Sequence, residues 1–315
     1  MSKINVLILG SEGAIGSHMV KVLPSYLIDC NIIRVSRTNI LASSDSASHT
    51  ILVGDLLDID FVKSVFKNHA VNVIIFCAAK WNGINQDPTV IDVNVTMFNN
   101  VLSSMHKSVS NFIFLSSSAV YSQNSFSDSA LTELLPKSTY GQSKLINEVL
   151  LSNKAKQNNM STCIYRPFHV VSPYENFCPG RSHITTDFVH RYIDLNIDFS
   201  WDTLSPDVFI PFFWVDDLCT LIADNIFNES FVDKIFNIGA SKSYSVLDLA
   251  LCVANIASKY GLSNKELPVI KEIFEPVENG MESGLIEIVG SVKERSLLEI
   301  VEKFICQKYG VIYEH

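Results

Sequence analysis

Short, near-continuous apolar runs punctuate the first half of the chain at residues 6–9, 32–35, 51–53, 73–78, 112–115 and 162–166. Between them lie stretches with apolar residues at three- and four-residue spacing, over 15–23, 60–68, 94–106 and 140–153. Runs without polar alternation suit strands covered on both faces, and the intervening period suits amphipathic helices. In 60–68, Phe61, Val65 and Phe66 are expected on one face, and Pro24 is expected to end the first helix. Strand–helix alternation through about residue 166 predicts an α/β fold, a doubly wound parallel sheet. Beyond it the rhythm breaks into a loop at 173–179 and helices at 184–195, 246–260 and 291–308, which predicts a smaller, discontinuous C-terminal α/β lobe.

Composition narrows the classes. Of 315 residues, 47% are hydrophobic and 18% charged, ample for a core. The net charge of −9 repels a phosphate backbone, so no nucleic-acid partner is expected. The first apolar run meets Gly10 too soon for a signal peptide or a membrane span. Seven cysteines without a CxxC pair read as reduced core residues of a cytoplasmic protein. The histidines, His18, His49, His69, His106, His190 and His315 among them, show no metal-ligand spacing, and no metal is expected.

Gly10-Ser11-Glu12-Gly13-Ala14-Ile15-Gly16 lies between the first strand and the first helix. Glycines there let the backbone turn tightly and approach a pyrophosphate seated on the helix N-terminus. Gly10, Gly13, Ile15 and Gly16 are therefore expected to hold a dinucleotide, on a Rossmann sheet. Residues 1–166, with a return segment near 207–245, form the expected dinucleotide-binding domain; 167–206 and 246–315 form the substrate lobe. The second strand ends in Ser36 and Arg37 with no acid beside them in sequence. An arginine there can pair with a 2′-phosphate, which predicts NADP(H) over NAD(H).

Tyr140 and Lys144 stand four apart, on one face of a helix. A phenol titrates near ~10, too high for acid–base work at neutral pH. A neighbouring ammonium and an oxidised nicotinamide are expected to lower that value. Tyr140 could then exchange a proton with a substrate oxygen while hydride moves at the same carbon. A hydroxyl from "FIFLSSSAVY" at the end of the fifth strand is expected to polarise the same oxygen.

Together GxxGxxG, "GDLLD", the serine cluster, YxxxK, "YRPFHVVSP", "FFWVDDL" and "FNIGASKSYSVLDLA" resemble the extended short-chain dehydrogenase/reductase family, of the NAD-dependent epimerase/dehydratase type. That resemblance puts the catalytic serine on Ser117, with Ser116 and Ser118 as fallbacks, beside Tyr140 and Lys144. It implies cofactor contacts from Asp55, Leu56, Ala78, Ala79, Lys80 and Phe168. Locally, "AAKWNGI" and "ENFCPGRSHITTDFVHR" are similar to the GDP-fucose synthase branch, which reduces a GDP-4-keto-6-deoxy sugar with NADPH. This likeness adds His183 on the cofactor side, and Ser118, His169, Arg181 and Arg191 on the substrate side. It also implies a homodimer joined through the helices at 94–106 and 140–153.

Three departures qualify the likeness. Ala119 replaces the cysteine that serves as base for epimerisation beside the keto group, so reduction at C4 would remain without it. Ile210 replaces the arginine that meets the sugar-nucleotide diphosphate, a loss of ~1.5–3 kcal/mol per charge-assisted bond unless Arg181, Arg191 or Arg295 substitutes. His169 replaces an asparagine. Trp81, Trp201 and Trp214 are candidates either for a sugar pocket or for packing. The expected function is NADPH-dependent reduction of a nucleotide-activated 4-keto-6-deoxy sugar. A nucleotide-sugar 4-epimerase with tightly bound cofactor and a non-catalytic NAD(P)-binding regulator are the alternatives.

Overall fold

Six apolar runs do become strands: β1 (Ile4–Leu9), β2 (Cys30–Ser36), β3 (His49–Val53), β4 (Val73–Phe76), β5 (Asn111–Leu115) and β6 (Ser161–Pro167). After three two-residue strands, β7 (Val170–Val171), β8 (Phe209–Ile210) and β9 (Phe213–Trp214), the chain returns as β10 (Lys234–Ile238). The seven longer strands make one all-parallel sheet in the order β3-β2-β1-β4-β5-β6-β10. The order reverses direction beside β1, which leaves a crevice at the carboxyl ends of β1 and β4. Coordinates come from a computed structural model that describes residues 3–27, 29–38, 49–81, 86–121, 133–178, 182–197, 205–263, 277–278 and 294–313. Arg181 and Trp201 lie outside them.

Eight α-helices cover the sheet among the described residues: α1 (Gly16–Tyr26), α2 (Ile59–Asn68), α3 (Thr89–Ser104), α4 (Thr139–Asn158), α5 (Ile184–Val189), α6 (Val215–Asn225), α7 (Val246–Lys259) and α8 (Leu297–Tyr309). Successive strand residues feed opposite cores. Val6 and Ile8 join Met19 of α1, Leu218 of α6, Val253 of α7 and Phe304 of α8. Leu7 and Leu9 join Val65 of α2, Phe98 of α3 and Leu151 of α4. On that second face Phe76 packs edge-on against Phe98 at 4.8 Å. Burial on both sides explains why these strands carry no polar alternation. A small antiparallel sheet, β8 with β11 (Lys242–Ser245) and β12 (Val277–Glu278), stands apart, as does the parallel pair β7–β9.

Several boundaries depart from expectation for local reasons. The predicted 94–106 helix starts at Thr89 instead, because Asp87 accepts the Thr89 N–H at 2.9 Å and Pro88 pre-sets the first turn. Pro24 sits inside α1 rather than ending it; it is exposed in the last turn, where a single ladder bond is lost. β4 stops at Phe76, two residues early. The expected 184–195 helix is α5 followed by one π-turn, His190–Asp194. On α2 the buried face is Val62, Val65 and Phe66, with Phe61 only partly covered. No helix of the described residues is long and apolar enough to cross a membrane.

Candidate active site

The glycine turn sits where the crevice opens. Gly10 has φ +83°, and a Cβ there would lie 2.6 Å from the Ala78 nitrogen, so the close pass of β1 against the end of β4 requires glycine. Gly13 N–H closes the turn on Gly10 O at 3.0 Å. No side chain caps α1, and its first turn carries no acid; α2, by contrast, is capped by the Asp58 carboxylate. An uncapped helix start at the switch point, with its N–H groups unclaimed by side chains, fits a dinucleotide pyrophosphate.

Sequence reasoning missed the acid at this turn. Glu12 pairs with Arg34 at 2.6 Å and accepts from the Ser11 hydroxyl at 3.2 Å. Arg34 is 22 residues away on β2, so no local pattern announces the pair. No acid adjoins Ser36 and Arg37 in sequence, but the glycine turn brings a carboxylate onto β2 from outside the strand. Ser36 is buried, its hydroxyl turned to Thr38 O at 2.9 Å. Arg37 is exposed, with no ion-pair partner among the described residues. Across the crevice, Asp55 accepts the Leu57 N–H at 2.9 Å and is exposed, while Leu56 is buried.

Ser117, Tyr140 and Lys144 converge at the end of β5. Ser117 opens a 3-10 turn, Ser118–Val120, and accepts the Ala119 N–H at 3.1 Å. Ser138 caps α4 through the Gly141 N–H at 3.0 Å, so Tyr140 enters in the helix's first turn. A Cβ on Gly141 would lie 2.0 Å from Ala119 O, which is how closely α4 and the serine turn approach. Burial pushes the Tyr140 phenol up to about 12, with the Ser117 hydroxyl pulling the other way. The expected lowering by Lys144 is therefore not found. The Lys144 ammonium lies 5.5 Å from the Tyr140 ring centre and donates to Leu115 O at 2.6 Å. Burial pulls that ammonium down to about 8, opposed by Cys77 and Glu148.

A buried polar group stands behind these three residues. Arg166 grips Glu148 with Nε at 3.0 Å and Nη2 at 2.6 Å, and its Nη1 donates to Tyr121 at 2.8 Å. Tyr121 donates onward to Asn237 on β10 at 2.7 Å, and Ser116 donates to Glu148. Asn94, also missed, is a buried side chain on α3 that accepts the Lys80 N–H at 2.6 Å and donates to Ser143 at 2.9 Å. It ties the loop of Ala78, Ala79 and Lys80 to α4. The Lys80 ammonium itself is held by Thr89 at 2.7 Å.

The outer wall is aromatic. Trp81, 38% exposed, stands edge-on to Tyr140 at 4.9 Å and is stacked on His183 at 5.6 Å. His183 Nδ1 lies 2.7 Å from Glu175; burial opposes its protonation, but the Glu175 hydrogen bond and charge raise its pKa. His169 is strained, with φ +37°, and burial and the charge of His183 bring it down to about 4, a neutral imidazole. Histidine, like the asparagine it replaces, tolerates this left-handed backbone better than most residues. Phe168 is buried against Gly239, and its N–H donates to Ile238 O at 2.8 Å.

Other expected substrate contacts are engaged elsewhere. Arg191 pairs with Asp187 at 2.8 Å. Arg295 is clamped by Asp217 at 2.6 and 2.8 Å and by Glu299, so its charge serves the α6–α8 contact. Ile210 is 2% exposed and packs in the core with Phe212 and Trp214, so that position faces the interior and not a ligand. Trp214 is likewise core; its indole N–H donates to Asp216 at 3.0 Å, and Asp216 also holds His18 of α1.

Comparison with known proteins places this geometry among relatives. A family model described as the NAD dependent epimerase/dehydratase family matches residues 6–239. Protein CapI of Staphylococcus aureus is 30% identical over 185 residues, 54% of this chain and 55% of that protein, so the chain matches about half of its length. UDP-glucose 4-epimerase of Erwinia amylovora is 29% identical over 273 residues, covering 78% of this chain and 81% of that protein. GDP-L-fucose synthase of Escherichia coli (strain K12) is 23% identical over 288 residues, 83% of this chain and 84% of that protein. Among solved structures, the UDP-glucose 4-epimerase of Thermus thermophilus in complex with NAD superimposes with a TM-score of 0.72 at 18% identity, over 96% of this chain and 99% of that chain.

Proposed function

Because the chain belongs to the NAD-dependent epimerase/dehydratase family, within the extended short-chain dehydrogenases/reductases, we propose that it reduces the C4 keto group of a nucleotide-activated 4-keto-6-deoxy sugar with NADP(H). The observation that carries this reading is the meeting of Tyr140 with the Ser117 hydroxyl and the Lys144 ammonium at the end of β5. Burial holds that phenol protonated at neutral pH, which suits a group that must give a proton as the carbonyl is reduced. A reduced nicotinamide, when bound, would supply hydride to C4. Tyr140 gives its proton to the C4 oxygen, and Ser117 donates a hydrogen bond to the same atom. The Lys144 ammonium, fixed on Leu115 O, stabilises the phenolate left behind until water returns the proton. Ala119 offers no base for epimerising a neighbouring carbon.

Gly10, Gly13, Ile15, Gly16, Ser36, Arg37, Asp55, Leu56, Ala78, Ala79, Lys80, Phe168 and His183 hold the dinucleotide in this reading. Ser118 and His169 meet the sugar nucleotide in this reading, and Arg181, outside the described residues, and Arg191, released from Asp187, are the candidates for its diphosphate. Residues 1–166 with the return segment near 207–245 are the dinucleotide-binding unit, and the remainder is the substrate lobe. Arg37 favours the 2′-phosphate, since Arg34 already neutralises Glu12. Two copies pair through α3 and α4, where Ile146 and Val149 are 39% and 55% exposed. A second reading, a 4-epimerase retaining NAD(H), draws on Glu12, a carboxylate able to accept ribose hydroxyls.

The test is NADPH oxidation with freshly generated GDP-, dTDP- and CDP-4-keto-6-deoxy sugars. Turnover on one nucleotide, lost in Tyr140→Phe, is the expected result. Interconversion of UDP-hexose epimers without net NADPH use would overturn it in favour of the second reading.

A further inference from the structure

Two successive turns of α4 grip two successive residues at the end of β5. Lys144 donates to Leu115 O at 2.6 Å, and Glu148, four residues on and on the same helix face, accepts from the Ser116 hydroxyl. Ser117 comes next in the chain. Glu148 is 5% exposed and Arg166 is 7% exposed. A buried ion pair of this kind adds little stability over apolar residues of the same shape, so its presence asks for another reason. Its placement supplies one, because four points around Ser117 are tied to it: Ser116 just after β5, Tyr121 after the serine turn, Arg166 on β6 and, through Tyr121, Asn237 on β10.

We infer that Glu148 is a positioning residue of this site, which sets the serine turn against α4 through Ser116 and stands one helical turn from Lys144 as its counter-charge, with Arg166 orienting its carboxylate. The groups facing Lys144 are Cys77, just after β4, and Tyr140 and Glu148 from α4. Cys77 is held neutral by burial, its thiol pushed up to about 12. Glu148 is thus the carboxylate acting on the ammonium, which burial alone drives toward neutrality. The inference rests on the reading above for its consequence in turnover, but not for its measurement.

The test is NMR titration of the folded protein carrying 13C-labelled lysine, with the Lys144 signal assigned by its loss in Lys144→Met. Glu148→Gln is expected to lower the Lys144 midpoint by about one pH unit, and Glu148→Asp to restore part of it. Glu148→Gln/Arg166→Met removes the stranded guanidinium and is expected to melt near wild type while keeping the lowered midpoint. With a turned-over substrate, Glu148→Gln lowers the rate at pH 8 about fivefold. An unchanged midpoint in Glu148→Gln, or its full recovery in the double variant, would overturn the inference. Neither outcome depends on substrate or cofactor, so failure here is distinct from failure of the reductase reading.

Discussion

Replacing Gly141 with alanine sets two effects of opposite sign against each other. Gly141 lies in the first turn of α4, where alanine is the better helix former by about 1 kcal/mol. The added Cβ, however, would sit 2.0 Å from Ala119 O, 2.8 Å from Ala119 C and 3.0 Å from Pro136 Cβ. The nearest atom is backbone, and relief to an ordinary contact needs more than ~1 Å of movement between α4 and the serine turn. Overpacking of this kind costs about 1–3 kcal/mol, so Gly141→Ala should be destabilised by about 0–2 kcal/mol net in urea unfolding. Turnover should suffer far more. The same displacement separates Ser117 from Tyr140, and about 1 Å of misplacement is worth on the order of 10²-fold in rate. The expected signature is a folded variant, near wild type in its urea midpoint, with keto-sugar reduction reduced about a hundredfold. Wild-type activity in Gly141→Ala, or a gain in stability of the full helix-propensity term, would refute the close approach of these two segments.

Arg34→Met leaves Glu12 uncompensated at the glycine turn, and NADPH affinity should fall about tenfold or more while NADH affinity holds, measured by nicotinamide fluorescence. His169→Asn should keep wild-type stability because asparagine accepts φ +37°, whereas His169→Val should lose about 1–2 kcal/mol in urea unfolding. Asp217→Asn weakens the two-pronged grip on Arg295 and should cost about 1–3 kcal/mol, read as a lower urea midpoint. Lys144, pulled down to about 8, carries charge below that pH and loses it above. Keto-sugar reduction should therefore hold steady from pH 6.5 to 7.5 and decline as pH rises through about 8.

Features written in consecutive residues are legible in the chain. The apolar runs announce the strands because two-sided burial leaves a local signature, and Gly10 with Ala78 needs the close pass that a glycine turn implies. Tyr140 and Lys144 are found by spacing and Ser117 by resemblance, and the three meet in space. What escapes is non-local. Glu12 and Arg34 are joined across a strand pair. Asn94 looks like one polar residue in a helix until Lys80 and Ser143 close on it. Ile210 stands where a ligand arginine is expected, yet its side chain belongs to the core. The phenol shifts against expectation because burial outweighs the Ser117 hydroxyl, while the Lys144 ammonium is directed to Leu115 O. The start of α3 is signalled by Asp87-Pro88-Thr89, a cue that apolar spacing alone passes over.

The late return of β10 bears on how the molecule is made. β6 finds its outer neighbour only when residues 234–238 arrive, and Asn237 completes the hydrogen-bond chain that reaches Glu148. During synthesis the first six strands must therefore wait for about seventy further residues, with β6 standing as a bare edge that can pair with another chain. A fragment ending after β6 would keep the glycine turn, Tyr140 and Lys144, yet would lack both the strand that shields its sheet and the α1 partner helix α6. Such a fragment should aggregate on expression, and the first six strands of this protein cannot be lifted out as a portable module by cutting the chain once.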